Sequence, residues 1–195
     1  MSNRSKEMAT TDETGKHTGA DIRIRLMSHR DSISEITALL HRAYAGQMAM
    51  GLQPLAGRQD DSVTKKRCGS GECYLAVIKS AGSRSKEKIV GIILFHEMED
   101  ETSPPWFRNK FVDSFSQFAV DPEMQGLGIG RMLLDTVERR AAECGATEIA
   151  CSMADPDEGL KKFYLKRGYR LVEYWQWAYT NYRSAILSKS LAPQS

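Results

Sequence analysis

The stretch SFSQFAVDPEMQGLGIGRMLLDTVERRAAEC, Ser114 to Cys144, divides into three joined parts. Ser114 to Val120 is rich in aromatic and β-favouring residues and reads as a strand. Asp121-Pro122-Glu123 is turn chemistry, because proline fixes its own backbone and removes a donor from any ladder. From Gly130 onward Leu133, Leu134, Val137, Ala141 and Cys144 recur at helical spacing, with Arg131, Asp135, Glu138, Arg139 and Glu143 on the opposite face. Between strand and helix lie Gln125, Gly126, Leu127, Gly128, Ile129, Gly130 and Arg131.

A glycine-rich turn that opens a helix is suited to an anion such as phosphate. The first amides of a helix lack internal partners, and the helix dipole favours negative charge there. Glycines allow a sharp turn and a close approach of the ligand to the backbone. Other phosphate loops fit poorly. No GxxxxGK[ST] run occurs. A GxGxxG dinucleotide loop has different spacing, and no acidic residue ends an obvious next strand at the required distance. A plain strand–helix connector with no ligand is the competing reading.

The rest of the chain sets the frame. With 195 residues it suits one domain with a real core. Its 41% hydrophobic and 27% charged content is that of an ordinary soluble protein, and a net charge of +2 gives no sign of nucleic-acid binding. No apolar run is long enough for a membrane span, and the N-terminus lacks the apolar centre of a signal peptide. Cys68, Cys73, Cys144 and Cys151 form no CxxC pair. They are expected to be reduced thiols of a cytoplasmic protein, with no metal site.

Residues 1–20 are polar and predict a disordered tail, leaving 21–195 as a single domain. Ile22, Ile24 and Leu26 alternate with Arg23 and Arg25 as a strand. Ser32 with Glu35 forms a capping box ahead of Ile33, Ile36, Leu40 and Tyr44. Ala45 to Gly71 is broken by Gly46, Gly51, Pro54 and Gly57, with a second helix expected over Asp60 to Arg67. Met48, Met50 and Leu52 read either as core or as an adaptable ligand surface. Cys73 to Ile78 and Lys88 to His96 are strands joined by a polar hairpin loop. Glu97 to Lys110 reads as a loop whose Trp106 and Phe107 either anchor it or fold over a ligand. Glu148 to Met153 is a strand, and Asp155-Pro156-Asp157-Glu158 starts a helix that carries Leu160, Phe163, Tyr164 and Arg167 before Gly168 ends it. Tyr169 to Tyr179 and Ser184 to Ser190 complete the strands. The alternation predicts an α/β fold with a mixed, mainly antiparallel central sheet flanked by helices.

This order, with Val120-Asp121-Pro122, the Gln125/Gly128/Gly130 turn and Phe163-Tyr164-Leu165-Lys166-Arg167-Gly168-Tyr169, resembles the GNAT superfamily of acyl-CoA-dependent N-acetyltransferases. The resemblance covers about Asp21 to Leu191. It implies a GNAT-like fold, splayed at the coenzyme-binding strand, and acetyl-CoA as co-substrate. Amides from Gln125 through Gly126, Leu127, Gly128, Ile129 and Gly130 to Arg131 would hold the pyrophosphate. The backbone of Phe118, Ala119 and Val120 would pair with the pantetheine arm. Tyr164 falls where relatives carry a tyrosine near the thioester sulfur. Asp157 is a departure, because many relatives have Asn there. Relatives often pair through sheet edges, so a homodimer is compatible with the resemblance.

An N-acetyltransferase needs a neutral amine, which for a lysine-like group is about one part in 2,500 at pH 7. His96, Glu97 and Asp113, at strand ends, are the candidate bases, beside a water relay. The departing thiolate gains from a proton donor, and Tyr164 is the expected general acid. The amine acceptor belongs to a small molecule or to a protein or peptide. Its recognition is expected from the first helix, Ala45 to Gly71, Glu97 to Lys110 and Trp175 to Tyr182. Glu97, Glu99, Asp100 and Glu101 either draw a cationic amine or form a solvated loop. A non-catalytic acyl-CoA sensor or interaction module on the same scaffold is the alternative.

Overall fold

The computed structural model describes residues 22–79, 87–97 and 101–191. The expected N-terminal tail, the hairpin loop after Lys79 and the acids Glu99 and Asp100 lie outside the described residues. The strands are β1 (Ile22–Leu26), β2 (Glu72–Lys79), β3 (Glu87–His96), β4 (Val112–Val120), β5 (Glu148–Ala154), β6 (Arg170–Trp175) and β7 (Ser184–Ser190). The helices are α1 (Ile33–Ala49), α2 (Asp61–Cys68), α3 (Ile129–Glu143) and α4 (Glu158–Lys166).

The strands form one sheet in the order β1-β2-β3-β4-β5-β7-β6. Each neighbouring pair is antiparallel except β4 with β5, which run parallel. That mixed sheet between helices is the expected architecture. One face carries Phe95, Phe115, Leu133, Leu134, Val137 and Tyr164, so α3 and α4 pack there. The other carries Ile36, Leu39, Leu40, Cys68, Leu75 and Leu94, the seat of α1 and α2. Alternate residues of β3 divide between the two clusters, as the period of a strand requires.

Capping follows the sequence signals. Ser32 accepts from the Glu35 amide at 3.2 Å, and Asp60 Oδ1 accepts from Val63 at 2.8 Å. Gly168, at φ +86, supplies the left-handed residue that ends α4. Three segments differ from expectation. Helix α1 continues through Gly46 to Ala49, because a lone glycine weakens a helix without stopping it. The loop before β4 contains a 3-10 turn, Pro105–Arg108, that buries Phe107 against Val112, Ala150 and Ile186. Strand β6 ends at Trp175, after which the Gln176 side-chain Nε2 donates to the carbonyls of Trp177 and Thr180 and turns the chain.

Two irregularities of β4 prepare the site. Ile92 pairs with Ala119 but Leu94 with Ser116, so Gln117 and Phe118 bulge opposite the single residue Ile93. Gln117 is the one non-glycine residue of positive φ among the described residues, at 49°. On the other side, the β4–β5 ladder covers only Val112 to Phe115 against Glu148 to Cys151. Beyond it the two strands part while β5 stays paired with β7 as far as Ala154.

Candidate active site

The parting of β4 and β5 opens a cavity of about 1000 Å³ that passes from one face of the sheet to the other. On the α3/α4 side it is lined by Gln125, Gly126, Gly128, Ile129, Gly130 and Arg131. Gly126 and Gly128 have φ of +82 and +80, and a Cβ at either would meet nothing within 4 Å. Glycine is therefore required there by backbone conformation, and the space in front of the turn is open. Gly130 has another role. A Cβ there would stand 3.2 Å from Phe118 Cζ, so its absence lets α3 approach β4 closely.

Gly128 caps α3 without a side-chain hydrogen bond, leaving the first-turn amides of Ile129, Gly130 and Arg131 to an external acceptor. Arg131 is largely exposed and lies 3.4 Å from Asp135. Leu127 does not line the cavity, and its side chain packs against the α3/α4 core. Asp121 fixes the turn from behind. Its carboxylate is 2% exposed, accepts from Arg42 at 2.8 Å and caps the Glu123 amide at 3.2 Å. The donor set thus fits the pyrophosphate of coenzyme A: bare helix amides, space without side chains, and one exposed cation.

Phe118, Ala119 and Val120 lie along the open edge of β4 and line the cavity. The Phe118 carbonyl already accepts from the Tyr44 hydroxyl at 3.2 Å. Across the gap Tyr164 is 4% exposed, its ring wedged among Tyr169, Phe163, Phe115 and Phe118 at centroid distances of 5.3 to 6.4 Å. The Cys151 thiol lies near it, where the β4–β5 ladder ends. Burial raises the Tyr164 phenol well above its ordinary range, so it keeps its proton at physiological pH. Burial also raises the Cys151 thiol, which shows how strongly this gap disfavours a thiolate.

Of the three candidate bases only His96 lines the cavity, with Nε2 3.2 Å from Ser116 Oγ. Asp113 is buried but points to the α3 side, near Glu97 and Arg140. Glu97 is exposed and lies 3.7 Å from Arg140. Asp157 Oδ1 caps α4 at the Leu160 amide, and Oδ2 accepts from Gln47.

Past the gap, on the α1/α2 side, the cavity continues between Tyr44, Phe107, Trp177, Tyr179 and Tyr182. Each segment expected to recognise the acceptor contributes, including Met50, which leaves the core and lines this space. Sequence reading missed Arg67, Cys151 and Gln117. Arg67 follows two lysines in a short helix, Cys151 reads as a core thiol, and the Gln117 bulge has no composition signal. Among the described residues no helix is long and apolar enough to cross a membrane, and no group of three metal-ligating side chains occurs.

A parallel pair that parts over a glycine-capped helix is the splayed sheet that the GNAT resemblance implies. The model of the Acetyltransferase (GNAT) family matches residues 48–169, and the chain belongs to that family. Among solved structures it resembles a GNAT family acetyltransferase from Elizabethkingia anophelis with acetyl-CoA bound, at 18% identity over 88% of this chain and 99% of that one, TM-score 0.56. It also resembles the ribosomal-protein-S18-alanine N-acetyltransferase from Escherichia coli, at 12% identity over 89% and 96% of the two chains, TM-score 0.62. A protein of Pyrococcus horikoshii OT3 aligns at 20% identity over 88% and 99%, TM-score 0.65. At such identities the likeness is one of fold. No curated protein matches the sequence.

Proposed function

We propose that this protein is an N-acetyltransferase that moves the acetyl group of acetyl-CoA to a primary amine by direct attack on the thioester. The observation that carries the reading is the fork between β4 and β5, with bare amides of α3 at one end and the buried Tyr164 hydroxyl at the other. The solved E. anophelis relative holds acetyl-CoA, which agrees with that use of the fork.

Each part has a task. The Gln125–Arg131 turn binds pyrophosphate, and the open edge of β4 offers backbone to the pantetheine amides. The coenzyme supplies an activated acetyl group. Tyr164 donates its proton to the departing sulfur. A sulfur leaving in a dry gap is more basic than in water, so a proton-bearing phenol is a suitable partner. His96 takes the proton of the incoming amine, directly or through Ser116. Holding amine and thioester together across the gap supplies much of the remaining acceleration.

The test is thiol release from acetyl-CoA by the full chain against a panel of amines. Amine-dependent release that falls in Tyr164→Phe supports the reading. Tight coenzyme binding with no release on a broad panel would instead favour an acyl-CoA sensor.

A further inference from the structure

Each lip of the fork carries a ring on the α1/α2 side. On the β4 lip the Tyr44 hydroxyl donates to the Phe118 carbonyl at 3.2 Å. On the β5 lip the Trp177 indole donates to Ser152 Oγ at 2.9 Å, one residue past Cys151, where the β4–β5 ladder ends. Trp177 is braced further by Trp175, edge-on at 6.1 Å, and by Tyr179, stacked at 5.5 Å. Phe107 and Tyr182 line the same end of the cavity. The polar tips of Tyr44 and Trp177 are thus committed to the strands, and what these rings offer a ligand is apolar surface. Burial pushes the phenols of Tyr44 and Tyr182 up to about 12, so both are neutral at physiological pH and neither presents a charge to a cation.

These walls are held from behind. Thr37 of α1 is bonded to Thr64 of α2 at 2.9 Å, and Gln59 Nε2 donates to Thr64 Oγ1 and to Gln117 Oε1, each at 2.8 Å. Arg67 Nη1 donates to Gln59 Oε1 at 2.9 Å, so α1, α2 and the β4 bulge form one bonded unit. Farther out, two loops that line this end are clasped to each other. Asn181 Oδ1 accepts from the Gln53 amide at 2.8 Å, and its Nδ2 donates to the Gly51 carbonyl at 2.9 Å. Arg58 donates to the Tyr179 carbonyl at 2.5 Å. A free small amine fits between clasped loops, whereas a lysine on a folded protein would bring its own backbone against them. A flat ring laid against fixed aromatic walls gains both buried area and ring–ring contact, with little ordering of the walls left to do.

We infer that the acceptor is an arylalkylamine, a small primary amine with an aromatic ring on a short chain, and that Tyr44 and Trp177 select it by receiving that ring beside the fork. The inference rests on the N-acetyltransferase reading and narrows its acceptor to one chemical class.

The experiment compares matched acceptors with the full chain and saturating acetyl-CoA. The acceptors are 2-phenylethylamine, 3-phenylpropylamine, n-hexylamine, spermidine and a lysine-containing peptide. The expected result is a kcat/KM for the two aryl amines about tenfold or more above that for each of the others, carried mainly by KM. Trp177→Leu, which keeps an apolar side chain but removes the ring, should lower the aryl-to-hexylamine ratio at least about threefold, and Trp177→Phe should restore part of it. Hexylamine, spermidine or the peptide matching or exceeding the aryl amines would overturn the inference while leaving the acetyltransferase reading intact. So would an unchanged ratio in a Trp177→Leu protein that still binds coenzyme A. If that variant does not fold, the wild-type panel and Trp177→Phe decide. If no amine is acetylated, the acetyltransferase reading fails by itself. The inference is then judged by calorimetric titration of 2-phenylethylamine and n-hexylamine into the CoA-saturated protein. Aryl-selective binding weakened in Trp177→Leu supports it; no binding, or equal binding of the two amines, overturns it.

Discussion

Gln47 Nε2 donates to Asp157 Oδ2 at 2.9 Å, joining the last turns of α1 to the N-cap of α4 across the cavity. The same carboxylate caps the Leu160 amide, so one side chain fixes both the start of α4 and its distance from α1. Asp157→Ala should cost about 1 kcal/mol from the lost cap. It should also lower kcat, because Tyr164 rides on α4. Asp157→Asn keeps a capping oxygen and should lie near wild type in stability. Urea unfolding and thiol-release kinetics on the two variants check both halves.

Removing one oxygen from Tyr164 leaves its ring contacts in place. Tyr164→Phe should therefore melt close to wild type and bind coenzyme A within about threefold, while kcat falls about 100-fold or more. Turnover within a factor of two of wild type, with the true acceptor, would remove Tyr164 from the acid role.

Gly128 separates backbone conformation from ligand contact. A Cβ there meets no protein atom, so Gly128→Ala is disfavoured by its φ of +80 alone, about 1 kcal/mol. Gly128→Glu adds a negative charge where pyrophosphate is expected and should weaken coenzyme binding at least about tenfold beyond the alanine variant. Calorimetric titration of coenzyme A into both proteins is the measurement. Equal affinities would mean the turn does not hold the phosphates.

Asp113 makes stability depend on pH. Burial chiefly, with the nearby Glu97 charge, lifts its carboxyl to about 6, and its Oδ2 has no hydrogen-bond partner. The folded protein thus holds this proton more tightly than the unfolded chain. The contribution to stability is full below about pH 4 and is lost as pH rises through about 6. Asp113→Asn should therefore stabilise the protein by about 1–3 kcal/mol at pH 7.5 and make little difference below pH 4. Thermal melts across that range would show the two curves converging at the acid end.

Much of this architecture was legible in the residues. The period of Leu133, Leu134, Val137 and Ala141 requires the α3 face that packs on β4, and Gly126 and Gly128 sit where the backbone turns left-handed. Tyr164 could be singled out as a candidate because the run Phe163 to Tyr169 resembles an element of the family. The acceptor end was not legible, for a physical reason. Arg67, Gln59, Thr37 and Gln117 come from four separate segments, and only the packing of α1 and α2 on the sheet brings them together. Likewise Asp113, Glu97 and His96 all look like strand-end residues. Side-chain direction across the sheet separates His96, on the cavity, from Asp113, under α3.

The four-residue β4–β5 ladder means that this sheet has a third edge, inside the molecule. Along Ser116 to Val120 the backbone facing β5 has no neighbouring strand to complete it. A pantetheine chain lying there would act as that missing strand, and its binding energy would count toward folding. At a concentration 100 times its Kd, such a ligand would add about 2.7 kcal/mol to the native state. Supply of acyl donor would then govern how long the protein survives heat and proteolysis, as well as how fast it turns over.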